Sequence, residues 1–145
     1  GIPLYNEREI NHMEDVQTVF QSTWQVGRSV LVIMLMLSGI LLSKPAFRPH
    51  FTAAIETGGA VSAVIVTLIS LLALVGWNQW FTTFHLLFFQ PGSWTFSMSD
   101  TLIRLFPINF WFDSALTVSS IVFVAGLILA VAGWFLKKRT NPKLV

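Results

Sequence analysis

Two histidines offer the widest chemical choice in this chain. His12 sits in the run HMEDV and His85 in FHLLFF, and histidine is the side chain that takes up and returns a proton near neutral pH without a large pKa shift. His12 has a carboxylate one helical turn to either side, Glu9 at i−3 and Asp15 at i+3, and either can hold or polarise its imidazole. Asp15 is the expected orienter if His12 is catalytic and a solvated helix residue if it is not. Arg104, in DTLIRLFP, suits a lipid phosphate or a developing oxyanion, or else snorkels from a short surface helix. Ser97 and Asp100 have capping-box spacing, so Asp100 reads first as a helix cap. Trp94, with Phe84, Phe88, Phe89 and Phe96, has the bulk to wall a lipid-binding pocket, although aromatics at a lipid boundary need no further role. A single interfacial histidine commonly serves as an amphipathic anchor, and two on one side of a membrane bring a shared site into contention.

Several chemistries fall away. A metal site is the obvious competitor, since His12, Asp15, His85 and Asp100 are types that zinc accepts, but no HxxxH or HExxH spacing exists and two whole spans separate the histidines, so that signal is weak. There is no GxSxG for a serine hydrolase. With Cys 0, a disulfide, a thiolate metal site and an acyl-thioester intermediate are excluded. The net charge of +2 and pI near 9.4 do not indicate nucleic acid, because the Lys and Arg residues flank apolar runs instead of sharing one polar face.

The elements that must position these residues are membrane elements. The 145 residues are 54% hydrophobic and 11% charged, with a mean hydropathy of +0.68, against a charged fraction of about 25% in soluble domains. An all-α membrane fold is expected, a transmembrane helical bundle with an extracellular amphipathic and aromatic cap. Residues 1–23 read as an extracellular amphipathic helix, with Asn6 and Glu9 as a capping pair and Ile10, Met13, Val16, Phe20 and Trp24 at helical spacing. Residues 24–42, 58–77 and 115–136 each hold the roughly 20 apolar residues that a spanning helix requires. The second opens with Gly58, Gly59, Ala60, Ser62 and Ala63, which suit close helix packing.

Residues 78–114 are apolar yet hold His85, Asp100, Arg104 and Asn109, and Pro91, Gly92 and Pro107 interrupt them. Of the chain's 20 aromatic residues, 12 fall between Trp77 and Phe112, the clustering that the headgroup boundary selects. An interfacial segment is expected there. Lys44 and Arg48 follow the first span, and Lys137, Lys138, Arg139 and Lys143 follow the third, which places both loops in the cytoplasm. His12 and His85 then share the outer side, while His50 is cytoplasmic. Residue 1 is thereby external, so an upstream transmembrane helix or a cleaved signal is expected to deliver it.

HMEDV at 12–16, FHLLFF around His85, GSW at 92–94 and DTLIRLFP followed by FW at 100–111 resemble the lipoprotein intramolecular transacylase family, Lit, and its wider relatives among small bacterial membrane proteins. The likeness runs from the Tyr5 region to the last span. It implies a four-helix, multi-pass enzyme of the bacterial cell membrane, with its active site facing the extracellular side and membrane lipids around it. The implied reaction moves the sn-2 acyl chain of a diacylglyceryl lipoprotein to the amine of its own N-terminal cysteine, giving the lyso-form without a cofactor. The positions matching the family's two catalytic histidines are His12 and His85. The first spanning helix and much of the family's cap have no counterpart in these residues. Two other functions remain open from the residues themselves: a metal-dependent membrane hydrolase at the same histidines, and a non-catalytic scaffold or lipid-binding subunit.

Overall fold

Asn6 and Glu9 open the first helix by exchanging bonds: the Glu9 N–H donates to Asn6 Oδ1 at 3.0 Å, and the Asn6 N–H donates to Glu9 Oε2 at 2.8 Å. From this capping box α1 (Glu7–Ser43) continues unbroken for 37 residues, about 55 Å at 1.5 Å per residue. The amphipathic and apolar stretches are therefore one rod, longer than a hydrocarbon core of about 30 Å. A 3-10 turn (Pro45–Phe47) leads into α2 (Arg48–Val75), followed by α3 (Trp77–Phe88), α4 (Thr101–Leu105) and α5 (Ile108–Thr140). This computed structural model describes residues 3–140; Lys143 lies outside them, as do the first two residues of the amphipathic segment. No strand occurs among the described residues. The fold is all-α, and three of its helices are long and apolar enough to cross a membrane.

Three helix boundaries differ from the sequence reading for local reasons. α2 starts ten residues before the expected 58, because Pro49 falls in its first turn, where a missing N–H costs nothing. It ends at Val75 because Gly76 leaves helical geometry (φ −141, ψ 58), and α3 begins at the next residue. α5 starts at Ile108, since Pro107 halts the preceding turn while its carbonyl accepts the Phe110 N–H at 2.9 Å.

The chain divides into two compact units, one formed by the chain through Gly27 with Leu72–Leu116, the other by Arg28–Leu71 with the chain from Thr117 onward. In the second, α2 and α5 meet backbone to backbone. A Cβ on Gly59 would stand 2.5 Å from the Ala130 nitrogen and 2.6 Å from the Gly126 oxygen, and one on Gly133 would stand 2.7 Å from the Glu56 Cα. The contact is a stripe of small residues, Gly59 and Ala63 against Gly126, Ala130 and Gly133, the arrangement that lets helices in lipid gain dispersion and weak backbone contacts. Glu56 and Lys137 join the same helices through an ion pair of 2.8 Å. The larger apolar side chains, among them Leu31, Leu35, Leu68, Leu71, Ile121 and Ile128, point outward. Apolar outside and small inside is the inverse of a soluble core, and lipid is the solvent it fits.

The first unit is held by a carboxylate. Glu9, 1% exposed, places Oε2 on the start of α1 and Oε1 on the Leu102 N–H of α4 at 2.7 Å. Around it the Thr101 hydroxyl donates to the Leu4 carbonyl at 2.6 Å, and Arg8 and Asn6 reach the Asp100 carboxylate at 3.4 Å each. α3 carries an aromatic stripe, Trp77, Trp80, Phe81, Phe84 and Phe88, at spacings of three and four that line one helix face. Trp77 stacks on Trp80 and meets Phe112 of α5 edge-on at 5.1 Å.

Two stability outcomes follow. Gly59→Ala should destabilise the protein by about 1–3 kcal/mol, whereas Gly58→Ala, whose new methyl meets open space, should be neutral or stabilise by up to about 1 kcal/mol; thermal melts in detergent of the two neighbours decide it. Glu9→Ala strands two backbone donors and should cost about 2–4 kcal/mol, with Glu9→Gln in between. An unchanged melting temperature for Glu9→Ala would show that the clasp contributes nothing.

Candidate active site

α3 ends where its aromatic stripe reaches His85. The Phe89 N–H donates to the His85 carbonyl at 2.8 Å and Phe89 then turns extended, so the chain leaves the helix beside the imidazole. Gln90, Pro91, Gly92 and Ser93 form a tight turn: the Ser93 N–H donates to the Gln90 carbonyl at 3.1 Å, and Gly92 has φ +86. Pro at the first central position and a positive-φ glycine at the second are the chemistry of a type II turn. The reversal brings Trp94 back onto His85, with ring centroids 4.8 Å apart.

His12 arrives from α1. It lies one turn after Glu9, so the clasp on Glu9 also sets the rotation of the turn that carries the imidazole. The two imidazoles, 7% and 9% exposed, stack with centroids 6.2 Å apart and planes 24° from parallel. Phe89 lies 4.9 Å from His12 and 5.4 Å from His85, and Phe96 lies 5.3 Å from His12. The guanidinium of Arg8 sits 5.4 Å over the Phe96 ring, which ties this wall to the polar network around Asp100.

Hydrogen bonding fixes one ring's tautomer. His85 Nδ1 lies 2.7 Å from the Phe81 carbonyl, and a carbonyl only accepts, so Nδ1 carries the hydrogen and Nε2 the lone pair. His12 Nδ1 is buried with no partner among the described residues. Both rings lie outside the apolar stretches 24–42, 58–77 and 115–136, His12 about three turns before the first of them. Burial pushes both imidazoles below the ordinary value of 6.5. For His12 the neighbouring His85 pushes the same way and Asp15 opposes; for His85 the bond to the Phe81 carbonyl opposes. At neutral pH the nest therefore holds two uncharged bases.

The structure gathers some expected residues and not others. His12, His85 and Trp94 share the nest. Asp100 stands at its border, accepting the Ser97 N–H at 2.7 Å and pairing with Arg8. Asp15 is exposed and makes no hydrogen bond to His12, its carboxylate acting on the ring through charge alone. Arg104 is exposed and its side chain has no hydrogen bond or ion pair among the described residues. His50 is exposed, and its ring meets Phe47. Among the described residues no group of three or more His, Asp or Glu side chains stands close enough to hold a metal ion. Sequence reasoning missed the span of Glu9, whose partner Leu102 is 93 residues away. Local spacing shows Asn6 but gives no sign of that second backbone donor.

The chain is 32% identical over 143 residues to an uncharacterized protein of Aquifex aeolicus (strain VF5). That match covers 99% of this chain and 62% of the relative, so the chain spans about three-fifths of its length. No solved structure matches. The family described as lipoprotein intramolecular transacylase Lit matches residues 4–111, a stretch that contains His12, His85, Trp94, Asp100 and Arg104. With that share of its length matched, the chain belongs to the Lit family.

Proposed function

We propose that this chain carries the site of an outward-facing, multi-pass membrane acyltransferase. Its substrate is a diacylglyceryl lipoprotein, whose sn-2 acyl chain passes to the amine of its own N-terminal cysteine to leave the lyso-form. Beside the family match, the observation that supports this reading is the pair of buried, uncharged imidazoles stacked 6.2 Å apart in an aromatic nest. Residues 73 apart in sequence would not converge in this way as separate membrane anchors.

The reaction accounts for two bases. An N-terminal amine with an ordinary pKa of about 7.7–8.0 arrives largely as ammonium, and it must shed two protons to become an amide nitrogen. One proton goes to each neutral imidazole as the nitrogen attacks the ester carbonyl carbon. The new C–N bond forms, the bond to the sn-2 oxygen breaks, and one imidazolium returns its proton to that oxygen while the other releases its proton to solvent. His85, with Nε2 held as the lone-pair atom, is the base facing the amine, and His12 is the acid for the glyceryl oxygen. Since nucleophile and ester belong to one molecule, the protein supplies orientation, which is worth effective molarities of about 10⁵ M or more. Phe89, Phe96 and Trp94 exclude the water that would hydrolyse the ester instead. Arg104, free of side-chain partners and exposed, is placed to receive a phosphate of the surrounding lipid.

His12→Ala and His85→Ala should each lower lyso-form production by about 10²-fold or more while the protein stays folded and membrane-inserted. Mass spectrometry of lipoprotein N-terminal peptides reads the product, and normal lyso-form from both variants would sink the proposal. The imidazoles should also titrate in acid. Because both are shifted down, each ring stays neutral as pH falls past 6.5 and gains its proton only below that value. Imidazole C–H resonances followed by NMR against pH should show midpoints under 6.5, and a midpoint above it for either ring contradicts the uncharged pair.

A further inference from the structure

Acyl transfer creates a negative charge that neither histidine answers. As the amine adds to the ester, the carbonyl oxygen becomes an oxyanion, and both imidazoles are then occupied by protons moving at nitrogen and at the glyceryl oxygen. A separate donor near the rings is required.

The donors around the nest are mostly engaged. Glu9 takes the backbone N–H groups of Asn6 and Leu102. Asp100 takes the Ser97 N–H, the Ser97 and Ser99 hydroxyls bond each other at 2.9 Å, and the Ser93 hydroxyl is spent on the Gln90 carbonyl. Two indole N–H groups are buried without a partner among the described residues, those of Trp77 and Trp94. The Trp77 ring packs on Trp80, Phe81 and Phe112, two helical turns before His85. The Trp94 ring packs directly on His85 at 4.8 Å. An indole nitrogen donates only and never titrates in water, and a buried donor with nothing to bond is uncommon enough in a folded protein to call for a reason. The type II turn with Gly92 at φ +86 holds this residue in place.

We infer that the Trp94 indole N–H is the oxyanion donor of the site, hydrogen-bonding the sn-2 ester carbonyl oxygen as it takes negative charge, which makes Trp94 a catalytic residue. The inference rests on the transacylase reading above. In the addition step the amine lone pair forms the C–N bond and the carbonyl π pair moves onto the oxygen facing Nε1–H. In the collapse that pair returns, the C–O bond to glycerol breaks, and an imidazolium protonates the departing oxygen. The indole keeps its own proton throughout, so it acts only where charge develops.

The test separates the N–H from the ring. Replacing Trp94 by 3-(3-benzothienyl)alanine keeps the shape and exchanges the N–H for sulfur, and Trp94→Phe is the genetically encoded counterpart. Both should lower kcat for lyso-form production by about 10²-fold, with KM and thermal stability held near wild type in the benzothienyl protein. In parallel, the ¹⁵N-labelled Trp94 indole resonance should move downfield when a phosphonate lipopeptide, a tetrahedral mimic of the intermediate, is added. Wild-type kcat in the benzothienyl protein, or an indole resonance indifferent to the phosphonate, would overturn the assignment and leave the transacylase reading standing. A wild-type chain that makes no lyso-form, or His85→Ala that makes it normally, would overturn both.

Discussion

A single buried carboxylate, that of Glu9, sets the geometry of the first unit. Glu9 accepts the backbone N–H of Asn6 with one oxygen and that of Leu102 with the other, so the start of α1 and the start of α4 are referred to the same group. Each of these N–H groups would lack an intrahelical partner, and a carboxylate satisfies them better than a neutral acceptor. His12 rides one turn along the same helix, and Phe96, which walls it, lies on the loop leading into α4. Moving that carboxylate would shift the imidazole and its cover relative to each other.

How Glu9 is used also explains what His12 is not. Both of its oxygens are committed to the backbone, and Asp15 stays exposed without a bond to the ring. Glu9 therefore makes no contact that would stabilise a charged ring, and Asp15 opposes the downward shift through its charge alone. Burial works the other way, as does the second ring, and both imidazoles end below their ordinary value. A serine-protease arrangement commits its histidine to a carboxylate and so favours the imidazolium. Here the nest favours two neutral bases, which suits the proposed substrate amine, an ammonium that must lose a proton before it can attack.

Much of this was legible in the residues, and the limits were physical. The spans follow from apolar run length, and the capping pair from spacing, because both are local properties. The aromatic stripe of α3 is visible at helical intervals, and Pro91-Gly92 announces the turn that returns Trp94. The approach of His12 to His85 has no local cause: charge bias at the span ends sets the two on one side of a membrane, and only the resemblance to known sequences pairs them. The second bond of Glu9 is likewise invisible, since a backbone N–H leaves no mark in composition. Of the small residues at the start of the second span, Gly59 and Ala63 meet α5 while Gly58 faces open space; the receiving residues, Gly126, Ala130 and Gly133, carry no distinguishing mark in an apolar run, because glycine is common in spanning helices.

The sparse polarity of the nest fits the proposed reaction, in which the two ends arrive already joined. Converting an ester to an amide within one molecule requires no outside energy source, so the difficulty lies in bringing amine and carbonyl into contact and keeping water out. More polar side chains would add donors and acceptors but would also admit solvent and weaken each electrostatic contact. In the proposed reaction, two imidazoles and one indole N–H cover the positions where a proton leaves, a proton returns and charge appears. The surrounding wall is Phe89 and Phe96, edge-on or tilted to the rings at about their contact distance, offering acyl chains an apolar surface without competing for a hydrogen bond. On that view the rings' low basicity and the nest's dryness are one property, since the burial that keeps water from the ester is the burial that holds both histidines neutral.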